Sequence, residues 1–300
     1  MRQKENHFAP KRIRVIDRPV QPNQVPLEDE LGDVLDKAMR RADLAVEEVA
    51  RRTGIPPPRL LDAIDYRSDL TCKELGQLAA LLDLNEVGLC ALAEGKYPLP
   101  EVGALPFCLH ALRMPHGIGV VNAYLISEPG SGRGVLFDVG PSMKALLAVW
   151  PADVPAVDAI FLTHVETEHA GSLCDVVKQF GAVTAYNPQG VVEPCGQPIA
   201  EPAALTLDTW EITVLSTPGH AMDHNCYLVR SLVATGGTPL LIAGDLIFAG
   251  SAGAGYYCQK QSKKHLARVM ALVPENTIIA PGHGPLTTVG NERRYNPFVN

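Results

Sequence analysis

Apolar and polar positions divide the chain into two textures. From Leu31 to about Gly95 the apolar residues recur with a 3.6-residue period and show no strand-like alternation, which predicts five short helices. Thr71 followed by Glu74 forms a capping-box pattern, Asn85 is placed to cap the last helix, and Gly95 to end it. Beyond the proline-punctuated stretch Tyr97-Pro98-Leu99-Pro100 the runs become short, apolar and partly β-branched. Val157 to Leu162 reads as a buried strand delivering the next residues to a loop at its carboxyl end. Gly171 would permit a tight turn there, and Ser172 would cap a helix running to about Phe180.

That loop holds the densest chemistry in the chain. Thr163-His164-Val165-Glu166-Thr167-Glu168-His169 packs four metal-ligand side chains into six residues. Ligands at 164, 166 and 168 cannot share one face of a regular strand and also use the neighbouring His169, so the loop must curl. Three ordered motifs add His220 in Thr217-Pro218-Gly219-His220, Asp245 in Ala243-Gly244-Asp245, and His283 in Pro281-Gly282-His283-Gly284. Four imidazoles and three carboxylates suffice for two divalent cations with one carboxylate shared.

These motifs resemble the metallo-β-lactamase superfamily, from about Leu105 to the C-terminus. Val121 to Ile126 is similar to its early strand, and Phe137-Asp138-Val139-Gly140 to its turn before a helix. Gly244 to Ser251 and Pro281 to Thr288, with Glu292-Arg293-Arg294 and Asn296-Pro297-Phe298, resemble the glyoxalase II-like hydrolases. The intervals agree: 50 residues separate His169 from His220, 24 separate His220 from Asp245, and 37 separate Asp245 from His283. The resemblance implies an α/β fold, an αββα sandwich of two mixed sheets with helices outside. It assigns His164, Glu166 and His220 to one metal, Glu168, His169 and His283 to the other, and Asp245 to the bridge, with Asp245 and Glu168 also carrying the chemistry. His224 is expected to orient a ligand, and Asp138 to support the loops.

The hydrolytic members carry His-x-His-x-Asp-His, whereas this chain has Glu166 at the second histidine and Glu168 at the aspartate. Glu in place of that histidine is the pattern of the flavodiiron oxygen and nitric oxide reductases, whose metal is iron, but no flavodoxin-like segment follows. Three carboxylates and a bridging hydroxide bring two M²⁺ to a formal charge of about zero, against about +1 for two carboxylates. An oxygen-rich set favours iron, with zinc or manganese as alternatives, in divalent or mixed-valence form. Three functions follow. One is a hydrolase of a thioester, ester or lactone whose bridging hydroxide attacks a small-molecule substrate; another is a non-flavin diiron protein that senses or reduces O2 or NO and regulates transcription through the N-terminal helical domain; the third is a regulator whose metal centre serves only folding or ligand sensing.

Leu44 to Arg52, Thr53-Gly54-Ile55, and Arg59 to Tyr66 resemble the lambda-repressor-like helix-turn-helix, a small all-α domain whose second helix enters the DNA major groove. Charge opposes that role: residues 27–97 hold nine Lys and Arg against fifteen Asp and Glu. DNA affinity rests on a cationic face, so protein interaction or homodimerisation through this domain competes with DNA binding. Residues 1–26, at +4 with four prolines, read as a disordered basic arm; 27–97 as the helical domain; 98–104 as a linker; and 105–300 as the metal domain. No run approaches 18 apolar residues and the N-terminus lacks an apolar core, which predicts neither membrane span nor signal peptide. Seven scattered cysteines predict reduced thiols and a cytoplasmic location rather than a disulfide framework.

Overall fold

The computed structural model describes residues 25–181, 183–234 and 236–300. The expected basic arm therefore lies, but for its last two residues, outside the described residues. The helical pattern resolves into α1 (Leu31–Ala42), α2 (Val46–Thr53), α3 (Pro57–Ile64), α4 (Cys72–Leu82) and α5 (Glu86–Ala93). Their ends follow local chemistry. Thr71 and Glu74 form a reciprocal capping box at α4, and Asn85 accepts from the Gly88 amide at α5. Gly95 takes the left-handed conformation, φ 63°, just after α5.

One six-stranded sheet runs β1 (Cys108–His116), β2 (Gly119–Ser127), β3 (Arg133–Phe137), β4 (Ala156–Phe161), β5 (Thr184–Pro188) and β6 (Gln197–Ile199) in sequence order. Its first three strands are antiparallel and the rest parallel. The second is built from β7 (Ala204–Leu207), β8 (Trp210–Ser216), β9 (Asn225–Ser231), β10 (Leu240–Gly244), β13 (Ile278–Pro281) and β14 (Thr287–Thr288), in the order β14-β13-β10-β9-β8-β7. β11 (Ile247–Phe248) and β12 (Ser251–Ala252) form a small ribbon. The outer helices are α6 (Met143–Ala148), α7 (Thr167–Ala170), α8 (Leu173–Gln179), α9 (Gln259–Leu272) and α10 (Val289–Tyr295).

Side-chain alternation gives the central strands two buried faces. Tyr124, Ile126, Val135, Phe137 and Phe161 meet Ile212, Val214, Tyr227, Val229, Ile242 and Ile278 between the sheets. Leu125, Leu136 and Ile160 point the other way, into the layer that holds Leu146, Leu173 and Val176 of α6 and α8. On the second sheet Leu215, Leu228, Leu241 and Ile279 face Leu266, Val269 and Met270 of α9. Strands buried on both faces must be apolar throughout, which is why they read as runs rather than as alternation. The rings of Phe137, Phe161 and Tyr227 pack 5.2–5.8 Å apart at the centre; truncation of such a ring to Ala costs about 3–5 kcal/mol.

The outer core of the second sheet continues without a break into α1–α5. The junction is built on α10 and the tail behind it. The Asn85 amide donates to the Pro297 carbonyl at 2.8 Å, and the α carbon of Gly88 lies so close to the Tyr295 carbonyl that no side chain fits. Lys263 pairs with Asp83 at 2.6 Å.

Two local expectations give way to tertiary constraints. Ser172 stands before α8 but its hydroxyl donates to the Val139 carbonyl at 2.7 Å instead of capping the helix. Gly171 has ordinary helical backbone, φ −59°, and is needed for close approach: a Cβ would lie 2.9 Å from the Pro141 carbonyl oxygen. The expectation of reduced thiols throughout is also corrected, because Cys174 and Cys195 form a disulfide. They are 21 residues apart in sequence; only the packing of α8 against the β5–β6 connection brings their Cα atoms to 5.4 Å.

Glu292, wholly buried in α10, collects the junction's hydrogen bonds. It accepts from Tyr97 Oη, the Gly250 amide, Thr287 Oγ1 and Asn296 Nδ2 at 2.7–3.0 Å. Burial pushes its carboxyl above the usual range despite these donors. Glu292→Ala strands four donors and is expected to cost about 3 kcal/mol in denaturant unfolding. A raised folded-state value means that the neutral carboxyl contributes fully below the ordinary glutamate value of 4.5 and loses that contribution as pH rises through the raised one. The deficit of the variant is therefore largest in acid and narrows towards neutral pH; a gap that widens instead refutes the assignment.

Candidate metal centre

The centre sits at the carboxyl ends of β4, β10 and β13, where loops from both sheets meet. Asp138 organises the first of them. Held at φ 58°, it accepts from the Thr163 amide at 2.7 Å, from Thr163 Oγ1 at 2.9 Å, and from His169 Nδ1 at 3.1 Å. The chain after β4 then turns into α7, whose helical geometry returns His169 beneath His164. The curl expected of this loop is thus one helical turn, with the two imidazole rings 4.2 Å apart.

That loop and the one after β13 are also held across the sandwich. Tyr227 of β9 donates to the Leu162 carbonyl at 2.6 Å, and the Asn225 amide to the Thr163 carbonyl at 2.8 Å. From β2, Asn122 Nδ2 donates to the carbonyls of Pro281 and Gly284 at 3.0 and 2.9 Å, and Tyr124 to that of Pro281 at 2.8 Å. Asn122 is a loop clamp that sequence reasoning missed, since an asparagine in an apolar strand carries no motif. Gly244, at φ 48°, has no room for a Cβ, which would lie 2.7 Å from His224 Nε2.

Every candidate ligand imidazole has its Nδ1 beside an oxygen: His164 at Thr163 Oγ1 (3.0 Å), His169 at Asp138, His220 at the Ala254 carbonyl (2.9 Å), and His283 at the Val120 carbonyl (3.0 Å). That leaves each Nε2 to face inward. The Nε2 atoms of His220 and His283 lie 3.5 Å, and that of His169 3.6 Å, from the carboxylate of Asp245. Nε2 of His164, His169 and His220 and Oδ1 of Asp245 are buried without a hydrogen-bond partner. Such orphaned atoms are costly unless something else satisfies them, and a shared cation does. The donor set fits a metal.

Two ligand groupings emerge, His164–His169–Asp245 and His164–Glu166–His220. Glu166 Oε1 lies 3.3 Å from His220 Nε2. Glu168 and His283 join neither group: His283 Nε2 lies 3.5 Å from Asp245, and the Glu168 carboxylate lies 3.9 Å from Nε2 of His116, on the β1–β2 hairpin. His116, lacking ligand company in sequence, is brought to the rim only by that hairpin. His224 accepts from the Asp245 amide at 3.1 Å through Nε2, with Nδ1 2.7 Å from Thr217 Oγ1. Burial lowers its pKa to about 3, so it is a neutral acceptor. Cys258 precedes α9 as a partly buried thiol, and Cys174 is spent on the disulfide.

The charges are mutually supporting. Burial disfavours the Asp245 carboxylate, but the surrounding imidazoles hold it below the usual range; the neighbouring His220 imidazole does the same for Glu166. His164 is driven well below the usual imidazole range by burial and by the neighbouring histidines. It is a neutral ring with its lone pair free.

The family described as Metallo-beta-lactamase superfamily matches residues 116–283, more than half of the chain. An uncharacterized protein of Aquifex aeolicus (strain VF5) is 29% identical over 211 residues, covering 62% of this chain and 95% of that protein. A metallo-beta-lactamase from Staphylococcus aureus subsp. aureus COL is 20% identical with a TM-score of 0.54, over 63% of this chain and 62% of that one. The BLEG-1 B3 metallo-beta-lactamase is 26% identical with a TM-score of 0.52, over 63% of this chain and 98% of that one. The helical segment 31–93 lies outside the family match.

Asp138 touches no inward-facing atom, yet it fixes His164 through Thr163 and His169 directly. Asp138→Asn should lower metal affinity by roughly 10- to 100-fold, the usual cost of losing a group that orients a ligand. Equilibrium dialysis with metal analysis measures this, and unaltered affinity would remove Asp138 from the ligand-holding network.

Proposed function

Since the chain belongs to the metallo-beta-lactamase superfamily, we propose that it is a metal-dependent hydrolase acting on a small thioester, ester or lactone through a two-metal centre, with the helical unit as a regulatory element. One observation carries this reading: three buried imidazole nitrogens and a buried carboxylate oxygen converge without partners, their outward nitrogens already committed. His164, Glu166 and His220 would hold one cation, His169 and His283 the other, with Asp245 shared. Glu168 must turn from His116 to join the second set. Bound cations supply Lewis acidity and a water-derived nucleophile near neutral pH.

The residues provide the rest. Asp245 and Glu166 would neutralise the cations, and His224 holds the Asp245 backbone in place. Glu166, with its side chain 40% exposed, marks the open side of the centre. There the ring of Tyr256, 71% exposed, lies 5.4 Å from that of His220 and offers an apolar wall to an incoming acyl group. The likeness to a B3 metallo-beta-lactamase at 26% identity supports hydrolysis.

The placement of Glu166 within a ligand group favours a second reading. An oxygen-rich set suits iron or manganese better than zinc, and so a diiron protein that senses or reduces O2 or NO. For the helical unit, Arg59 is committed to Glu74 and to the Asp69 carbonyl. That commitment, with the surplus of acids over residues 27–97, supports a protein-facing role over DNA reading.

Glu166→Ala is expected to lose one cation preferentially and to lower the melting temperature, because the ligands are assembled only in the folded chain. Two metals per chain retained in that variant would reject the ligand set. The chemistry is decided by Glu166→His with Glu168→Asp, which restores the hydrolase-type set and raises the formal charge by about one. A hydrolase keeps or gains thioesterase turnover in this variant. A redox centre loses its oxidised-iron absorption and its gas response. Iron-loaded wild-type protein with an air-dependent spectrum and no esterase or thioesterase turnover would sink the hydrolytic reading.

A further inference from the structure

We propose that Glu28 is a positioning residue for His283, brought to the metal centre by the strap that leads into α1, so that the helical unit and the centre act on each other. The proposal rests on the reading of His283 as a ligand. Glu28 lies outside the segment that matches the family, yet its Oε2 is 3.8 Å from His283 Nδ1, the nitrogen opposite the one that faces Asp245. Val120 accepts from that nitrogen at 3.0 Å, and the carboxylate of Glu28 lies beside the same N–H. An anionic neighbour there makes the ring a more basic donor at Nε2.

The strap is anchored rather than draped. Its backbone runs over Gly284, where an added Cβ would lie 3.2 Å from the Glu28 nitrogen. The next residue, Asp29, is buried and its carboxylate takes both Lys37 Nζ of α1 and Ser251 Oγ of β12. Lys37 also donates to the Ala252 carbonyl at 3.1 Å and lies 5.3 Å from the centre of the Phe248 ring. Phe248 in turn meets His283 edge-on, ring centres 5.7 Å apart. His283 is therefore touched by Glu28 directly and by Lys37 through Phe248, and both belong to the helical unit. By linkage, whatever shifts α1 changes metal affinity, and metal loading biases α1 by the same factor.

The test uses the full chain titrated with Co²⁺ against a competing chelator, read by visible absorption, with Zn²⁺ content measured in parallel. Glu28→Gln keeps shape and removes charge; it should weaken Co²⁺ binding roughly tenfold and shift the absorption bands. Glu28→Asp should restore part of both, and Glu47→Gln on exposed α2 should match wild type. Lys37→Met should weaken binding as well, and by a smaller factor when Glu28 is already Gln, because the two act on one ring. Wild-type affinity and spectrum in Glu28→Gln, or independent effects in the double variant, overturn the proposal. His283→Ala separates the two levels: if it binds Co²⁺ like wild type, the ligand reading fails, whereas its loss of binding beside a silent Glu28→Gln sinks only the positioning role.

Discussion

The centre depends on one constraint: an imidazole offers a lone pair at Nε2 in a fixed direction only when its Nδ1 is held. Here four rings are held by four oxygens of three kinds, a threonine hydroxyl, an aspartate and two backbone carbonyls. The inward nitrogens of three of them, His164, His169 and His220, form with Asp245 a donor set too buried to be satisfied by bulk water. The cost of leaving such groups unpaired explains why the loops must be fixed so firmly.

That firmness comes from the sandwich. Two of the site loops are gripped by residues of the opposite sheet: Tyr227 on the end of β4, Asn122 and Tyr124 on the turn after β13. A relative shift of the sheets would misplace His164 and His283 together. The aromatic cluster between the sheets therefore serves the centre as well as stability.

The helical unit adds a further layer to the same architecture. Its core is contiguous with the outer face of the second sheet, and Glu292 satisfies donors from the end of the helical unit, the β11–β12 turn and the tail at once. A unit docked through buried polar groups has a specific seat, since any slip strands several of them. This geometry gives α1 its hold on the rim of the centre.

The sequence by itself determined much of this. The 3.6-residue period placed five helices, and Thr71, Glu74 and Asn85 placed their caps, because these are interactions within a few residues of chain. Four separated motifs named candidate donors, five of which the fold gathers into two ligand groups, since a donor set betrays itself by residue type and order. Tertiary structure alone decided the rest. It set Glu168 towards His116 rather than into either ligand group, paired Cys174 with Cys195, sent the Ser172 hydroxyl to Val139, and laid Glu28 beside His283. Each joins residues distant in sequence or chooses between rotamers. Local pattern has no access to either, because the deciding energy lies in contacts that exist only once the sheets have closed.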